Sequence, residues 1–233
     1  MEIRILASGS KANCYHIDDG RSEMLIECGL PIKKIKEGLN FNTSYIDACI
    51  VSHEHKDHVK SFSDLNDLSI DTWLPSEMFD NIKKMHHRNH FYHSLQKFHC
   101  ISFDIFPFPI NHDVPCYGFI IVSRHSDEKI VYATDTYFLN HTFVGVDYYM
   151  IECSYSARIL NENVQYGLSN TLYAERLKKS HFELENVKEF FKKTDTEKTK
   201  QIYLLHLSEQ NSDAKLFEDE IKKITGKPVC VCI

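Results

Sequence analysis

The sequence has little of what builds linkers, repeats or membrane spans. Its 233 residues hold six Pro, eight Gly and a single Trp, and no low-complexity tract or internal repeat is present. No apolar run approaches the ~18 residues of a membrane span; the best, Tyr117 to Val122, is strand length. No membrane partner is expected. An excess of positive charge is also missing: 27 Lys and Arg against 33 Asp and Glu leave a net charge of −6. A nonspecific grip on duplex nucleic acid would therefore need a local patch or bound metal. The amino terminus, Met1-Glu2-Ile3-Arg4-Ile5-Leu6, alternates like a strand and lacks the apolar core and cleavage site of a signal peptide, so a cytoplasmic location is expected. Eight Cys are scattered through apolar runs such as Val229-Cys230-Val231-Cys232 and read as reduced, buried thiols, not as a disulfide scaffold.

What is present is ordinary globular material, 42% hydrophobic and 26% charged, with 15 Phe and 12 Tyr to build a core. One compact domain over residues 1–233 is the economical expectation. Short runs rich in branched residues predict strands over Ile3–Ala7, Met24–Glu27, Ala48–Ser52, Ile101–Phe108, Tyr117–Val122, Lys129–Ala133 and Tyr148–Glu152. Helices are expected near Pro31–Glu37, after His58, and over Glu77–Lys84. The tail reads helix, strand, helix, strand, with apolar stripes Leu184, Val187, Phe190, Phe191 and Leu216, Phe217, Ile221, Ile224, the second closed by Gly226.

The sharpest signal is His53-Glu54-His55-Lys56-Asp57-His58, directly after the apolar run Ala48-Cys49-Ile50-Val51. Helical residues two apart do not face each other, so His53 and His55 share one ion only from a loop or strand end. Imidazole and carboxylate oxygen are the usual ligands of Zn²⁺ and its neighbours. A merely solvated loop does not account for three His and an Asp at this density. Further ligands should follow other strands, and His112, Asp135 and His206 each do. Any one of these alone would read as a loop residue bonded to backbone; their shared placement makes them candidates.

These residues resemble the metallo-β-lactamase fold superfamily, whose signature is the His-x-His-x-Asp-His run carried by residues 53 to 58. Within it the chain looks most like the YycJ/WalJ-type hydrolases of low-GC bacteria and their phages. The match rests on Leu6-Ala7-Ser8-Gly9-Ser10-Lys11-Ala12-Asn13-Cys14, His112-Asp113, Ala133-Thr134-Asp135-Thr136 and Tyr203-Leu204-Leu205-His206-Leu207-Ser208-Glu209-Gln210-Asn211. The resemblance implies an α/β fold, a four-layer αββα sandwich, with two divalent metal ions, Zn²⁺ or alternatively Mn²⁺. It assigns His53, His55 and His112 to the first ion and Asp57, His58 and His206 to the second, with Asp135 bridging. The chain departs from the pattern at Glu27-Cys28-Gly29, where Asp usually precedes Cys-Gly, at Cys153-Ser154-Tyr155-Ser156, where Asn-x-Asp is frequent, and in being shorter than typical members.

Counting ligand charges, two divalent ions less Asp57, Asp135 and a bridging hydroxide leave about one positive charge, which welcomes an anionic substrate. Phosphodiester hydrolysis by metal-activated hydroxide fits best, although ester, thioester or lactam hydrolysis would use the same nucleophile. Asp57 and His181 are the expected catalytic residues. Ser180-His181-Phe182-Glu183 reads as a capping box that sets His181 at a helix start, where it resembles a leaving-group acid of superfamily phosphodiesterases. The resemblance implies DNA exonuclease activity. The alternatives are a cyclic-nucleotide phosphodiesterase like the phage anti-Pycsar proteins, acting in the host cytoplasm, and a noncatalytic metal-binding module, against which the intact ligand set argues. The expected partner is a nucleic acid or small nucleotide, with a homodimer compatible. Gly9-Ser10 with Asn13 reads either as a phosphate cradle or as a tight hairpin. The stretch Met85-His86-His87-Arg88-Asn89-His90-Phe91-Tyr92-His93 reads better as a solvated loop than as a stacking patch.

Overall fold

The computed structural model describes residues 1–232. It is a mixed α/β structure whose strands form two sheets, and the chain divides into two compact units. Unit 1 holds Met1–Pro109 and Val114–Glu128; unit 2 holds Ile110–Asp113 and the chain from Lys129 onward.

Unit 1 begins with an antiparallel meander, β1 (Glu2–Ala7), β2 (Cys14–Asp18) and β3 (Glu23–Ile26). The β2–β3 turn is set by Asp19, whose carboxylate accepts from the backbone N–H groups of Arg21 and Ser22, each at 2.9 Å. From β3 onward the sheet becomes parallel, through β4 (Ile46–Ile50), β5 (Asp71–Pro75) and β6 (Asn89–Tyr92), in the spatial order β1-β2-β3-β4-β5-β6. Parallel neighbours need crossovers. These are α1 (Ile32–Gly38), then α2 (Lys56–Val59) with α3 (Phe62–Asp67), then a 3₁₀ segment, Ser76–Asn81. Leu25, Cys49, Val51 and Leu74 belong to one apolar cluster with Ile35 and Leu65 of the crossovers. Cys49 lies in β4, where Ala48, Cys49 and Ile50 are all buried, so this strand is covered on both faces and reads as a continuous apolar run. The unit also contains β7 (Phe98–Cys100), β8 (Phe103–Ile110, whose last residue passes into unit 2) and β9 (Cys116–Ser123).

Unit 2 is built on four parallel strands, β10 (Lys129–Ala133), β11 (Tyr148–Glu152), β12 (Gln201–Leu205) and β13 (Val229–Val231), adjacent in that order. Its helices are α4 (Ala157–Gln165), α5 (Thr171–Ser180), α6 (Leu184–Lys193) and α7 (Ala214–Thr225). The expected stripes are buried at Leu184, Val187, Phe190 and Phe191 on α6 and at Phe217 and Ile221 on α7. Gly226 ends α7 with φ +65°, the left-handed cap that glycine adopts without a Cβ penalty. Helices α4 and α5 share a small core of Leu160, Ala174 and Leu177 with Tyr155.

One expectation changes. The helix predicted over Glu77–Lys84 is only the 3₁₀ segment, which stops where Ile82 turns extended at φ −84°, ψ 107°. Its residues are tied sideways, Tyr117 Oη donating to Glu77 at 2.7 Å and Asn81 to Glu54 at 2.8 Å. The cysteines are all free and all buried except Cys230, as the composition suggested. Among the described residues no helix is long and apolar enough to cross a membrane.

Candidate metal centre

Strand β4 stops at Ile50 and the chain enters a loop, so His53 and His55 leave from the carboxyl end of a parallel strand, where open α/β sheets place their ligands. His55 is the N-cap of the one-turn helix α2, which carries Asp57 and His58. Two backbone hydrogen bonds from neighbouring segments hold the loop. Asn13 N–H donates to the Asp57 carbonyl at 2.8 Å and Cys28 N–H to the His58 carbonyl at 2.8 Å. Gly29 is obligatory for this approach, because a Cβ there would lie 1.6 Å from the Asp57 carbonyl oxygen. His53 and His58 are fully buried, with ring centroids 4.1 Å apart, and His55 lies 4.7 Å from His53.

Each buried ring is oriented by neighbours within unit 1. His53 Nδ1 meets Ser52 Oγ at 2.9 Å and Cys116 Sγ at 3.3 Å. His58 Nε2 accepts from the Asn13 amide at 3.0 Å, so its proton belongs on Nδ1, which faces Glu27 Oε1 at 3.4 Å. Glu27 has no solvent exposure and accepts from Ser52 N–H at 3.2 and 3.3 Å. A carboxylate behind an imidazole fixes its tautomer and raises its basicity, and loss of such a partner typically costs about 10- to 100-fold in metal affinity. Glu27→Ala is accordingly expected to weaken Zn²⁺ retention by about that factor, read by competition with a chromophoric chelator. Unchanged affinity would reduce Glu27 to a packing role. Asn13 closes the turn at Gly9, accepting its N–H at 3.1 Å and donating to its carbonyl at 3.2 Å, and its amide also reaches His58, with the Asp57 carboxylate at 3.4 Å.

In unit 2, Asp135, Glu152 and His206 stand at the carboxyl ends of the adjacent strands β10, β11 and β12. One potential ligand atom from each of these, and one from His181, all lie within 4.8 Å of one another. Asp135 and His206 both have φ +57°, and Glu27 in unit 1 has φ +64°. Non-glycine residues rarely take this conformation, and those that do cluster at functional sites. Glu152 is fully buried and receives Thr136 N–H at 2.9 Å. It meets His181 Nδ1 at 2.6 Å and His206 Nδ1 at 3.5 Å. Asp135 lies 3.6 Å from His206 Nε2 and 3.8 Å from His181 Nδ1, and the two imidazoles stack at 5.1 Å. Burial pushes the His181 pKa down, but the charge and hydrogen bond of Glu152, helped by Asp135, outweigh it and hold the imidazole above its usual value.

His181 does not begin a helix. Ser180 is the last residue of α5, its hydroxyl donating to the Arg176 carbonyl, and His181 is the extended C-cap. The cap of α6 is Glu183, whose carboxylate accepts from Glu185 and Asn186 N–H and also from Ala157 N–H. The expected capping box is therefore displaced, and His181 is held by Glu152 instead of by a helix terminus. His112 follows β8, with Nε2 3.0 Å from Asp113. Of the residues expected at the site, the structure gathers His53, His55, Asp57 and His58 in unit 1, and Asp135, His181 and His206 in unit 2. The contacts of Glu27 and Asn13 with His58 and of Glu152 with His181 and His206 were not read from the sequence; for the two glutamates, a carboxylate closing an apolar strand was the available signal. The stretch expected as a solvated loop is in part strand, Asn89–Tyr92 forming β6, with Arg88 paired to Asp71 at 2.8 Å and His90 stacked on Trp73.

The donor set is nitrogen and oxygen throughout, which suits Zn²⁺ or Mn²⁺. The model of a beta-lactamase superfamily domain matches residues 36–207. The chain is 29% identical to exodeoxyribonuclease WalJ of Streptococcus pneumoniae serotype 2 (strain D39 / NCTC 7466), over 91% of this chain and 83% of the relative. Among solved structures, the metallo-beta-lactamase fold protein YhfI from Bacillus subtilis superposes with a TM-score of 0.73 at 16% identity, covering 99% of this chain and 95% of that one. Human tRNase Z, short form, follows at TM-score 0.66 and 14% identity, covering 100% and 96%. The fold class expected from the motif is thus the observed one.

Proposed function

The chain belongs to the beta-lactamase superfamily, and from that membership we propose that it is a metal-dependent phosphodiesterase that degrades DNA from an end. The observation that carries this reading is the gathering, within 4.8 Å, of ligand atoms from Asp135, Glu152 and His206 at the ends of parallel strands and from His181 at the end of α5. Support for the substrate comes from the exodeoxyribonuclease relative. One catalytic domain spans the chain. His53, His55 and His112 would hold one ion and Asp57, His58 and His206 a second, with the Asp135 carboxylate shared between them. When bound, such a pair supplies Lewis acidity at the phosphoryl oxygen and a water acidic enough to attack near neutral pH.

The chain's own groups do the remainder. Glu27 keeps the proton of His58 on Nδ1, so that an ion would take Nε2 in place of the Asn13 amide, and Glu152 faces His206 Nδ1 in the same way. His181, fixed through Nδ1, turns its other nitrogen toward the leaving oxygen. Protein prepared without chelator is expected to hold about two divalent ions per chain by elemental analysis, to hydrolyse bis-p-nitrophenyl phosphate and to shorten linear DNA. Absence of transition metal, with no gain on reconstitution with Zn²⁺ or Mn²⁺, overturns the binuclear reading. Cleavage of cyclic nucleotides in place of DNA would transfer the activity to the smaller substrate.

A further inference from the structure

One buried carboxylate pins three segments of unit 1 together. Asp19, in the β2–β3 turn, accepts from Arg21 and Ser22 N–H with one oxygen and from the hydroxyls of Ser102 and Ser123, each at 2.6 Å, with the other. Ser102 lies in the short turn between β7 and β8, and Ser123 ends β9. Burial pushes the Asp19 pKa up, but the four hydrogen bonds outweigh it and hold the carboxyl below its usual value. Its charge is spent inward, on donors that leave the residue 5% exposed.

Around this pin opens a cavity of about 240 Å³, lined by Arg21, Ile101, Ser102, Arg124 and His125. Its lining holds two guanidiniums and an imidazole and no acid, in a chain of net −6. Those cations are also poorly engaged. Among the described residues, neither the Arg21 nor the His125 side chain has a hydrogen bond or ion pair. Arg124 donates to the Ile101 carbonyl and reaches Asp104 at 3.4 Å with its side chain 49% exposed, and Asp104 is shared with Lys97 and His99. Like charges gathered at one cavity repel unless an anion sits between them. A further observation concerns Ile101, which takes φ +51° and is 55% exposed. A β-branched residue at positive φ is an outlier of the kind that clusters at functional sites, and here it gives a polar cavity one apolar wall. The cavity stands apart from the metal centre: Arg21 precedes β3 and Glu27 follows it, and the four residues between the strand's ends rise ~13 Å.

We infer that this cavity is a second ligand site, for a small organic phosphate, with Arg21 and Arg124 gripping the terminal phosphate, His125 beside them and Ile101 against the organic part. Guanidinium forks match phosphate oxygens in bidentate pairs, and two forks with an imidazole suit a dianion better than a carboxylate, which one fork satisfies. The inference does not depend on the phosphodiesterase reading. It is tested on the metal-loaded protein by phenylglyoxal modification of arginines, read residue by residue by peptide mass spectrometry, because phosphate also has affinity for a metal centre. Inorganic phosphate and deoxyadenosine monophosphate should both protect Arg21 and Arg124 while Arg158 on α4 stays reactive, and acetate should protect neither. Arg21→Ala removes no side-chain contact, and it should raise the concentration that half-protects Arg124 by about tenfold or more, the loss of one charge-assisted partner. Asn is at ease at positive φ, so Ile101→Asn should weaken protection by the nucleotide and leave that by inorganic phosphate unchanged. Unprotected Arg21 and Arg124, or equal protection by acetate, overturns the site. An Ile101→Asn variant protected by the nucleotide as well as the wild type overturns the contact with the organic part. A 5′-phosphorylated oligonucleotide that protects at lower concentration than the mononucleotide overturns the small-molecule assignment in favour of a DNA end.

Discussion

Asp135→Ala is expected to lower hydrolysis of bis-p-nitrophenyl phosphate by about 10²- to 10³-fold or more, the scale on which one charge-stabilising group acts in an active site, and to strip metal from the purified protein. Asp135 is nearly buried, 3.6 Å from His206 and 3.8 Å from His181. On the proposed reading its carboxylate is shared by two divalent ions, so its loss leaves them with less negative charge between them. The alanine also has to adopt φ +57°, a conformation that Asn tolerates better. Asp135→Asn therefore separates charge from backbone strain: both variants should lose metal, while Asn should retain the wild-type melting temperature more closely. His87→Ala, on an exposed loop, should leave turnover and metal content intact. Equal losses in Asp135→Ala and His87→Ala would show that the site is misplaced, and an active, metal-loaded Asp135→Asn would remove the bridging role.

Legibility in the sequence followed from how local each cause is. His53, His55, Asp57 and His58 could be read because the ligands crowd into one loop after an apolar strand. Asp135 and His206 could be read for a related reason, each standing just after a largely apolar strand. Glu27 and Glu152 occupy the same kind of position, yet their work is tertiary: Glu27 faces His58 and Glu152 faces His181 and His206, and no spacing announces those contacts. The strands of unit 2 were marked by continuous apolar runs and α6 and α7 by their stripes. Helix α5 was not, because only Ala174, Leu177 and Ser180 are buried along it, too few for a periodic signal. The same sparse burial is what leaves Leu172, Arg176 and Lys179 exposed. His181 shows a second kind of failure. Ser180-x-x-Glu183 fits a capping box, but Glu183 caps α6 itself while also receiving Ala157 N–H, so a contact distant in sequence decided the register.

That displacement sharpens what His181 is expected to do. At the end of α5 and not at a helix start, it owes its orientation to Glu152, whose carboxylate meets Nδ1 at 2.6 Å, and Nε2 is the nitrogen left to address a substrate. If Nε2 passes a proton to the leaving oxygen, the cost of losing it depends on the leaving group. A nitrophenolate departs without a proton, whereas the alkoxide of a nucleotide needs one, and general acid help is typically worth ~10²- to 10⁴-fold. His181→Ala should thus lower the rate on a DNA phosphodiester by about that factor, and much less on bis-p-nitrophenyl phosphate, with metal content retained. Glu152→Gln keeps a hydrogen-bonding group beside Nδ1 but removes the charge, and it should reproduce part of the same leaving-group dependence. Equal losses on both substrates in His181→Ala would assign the imidazole to phosphate positioning. No loss on either would make it a structural partner of Glu152, stacked on His206 and without a part in the chemistry.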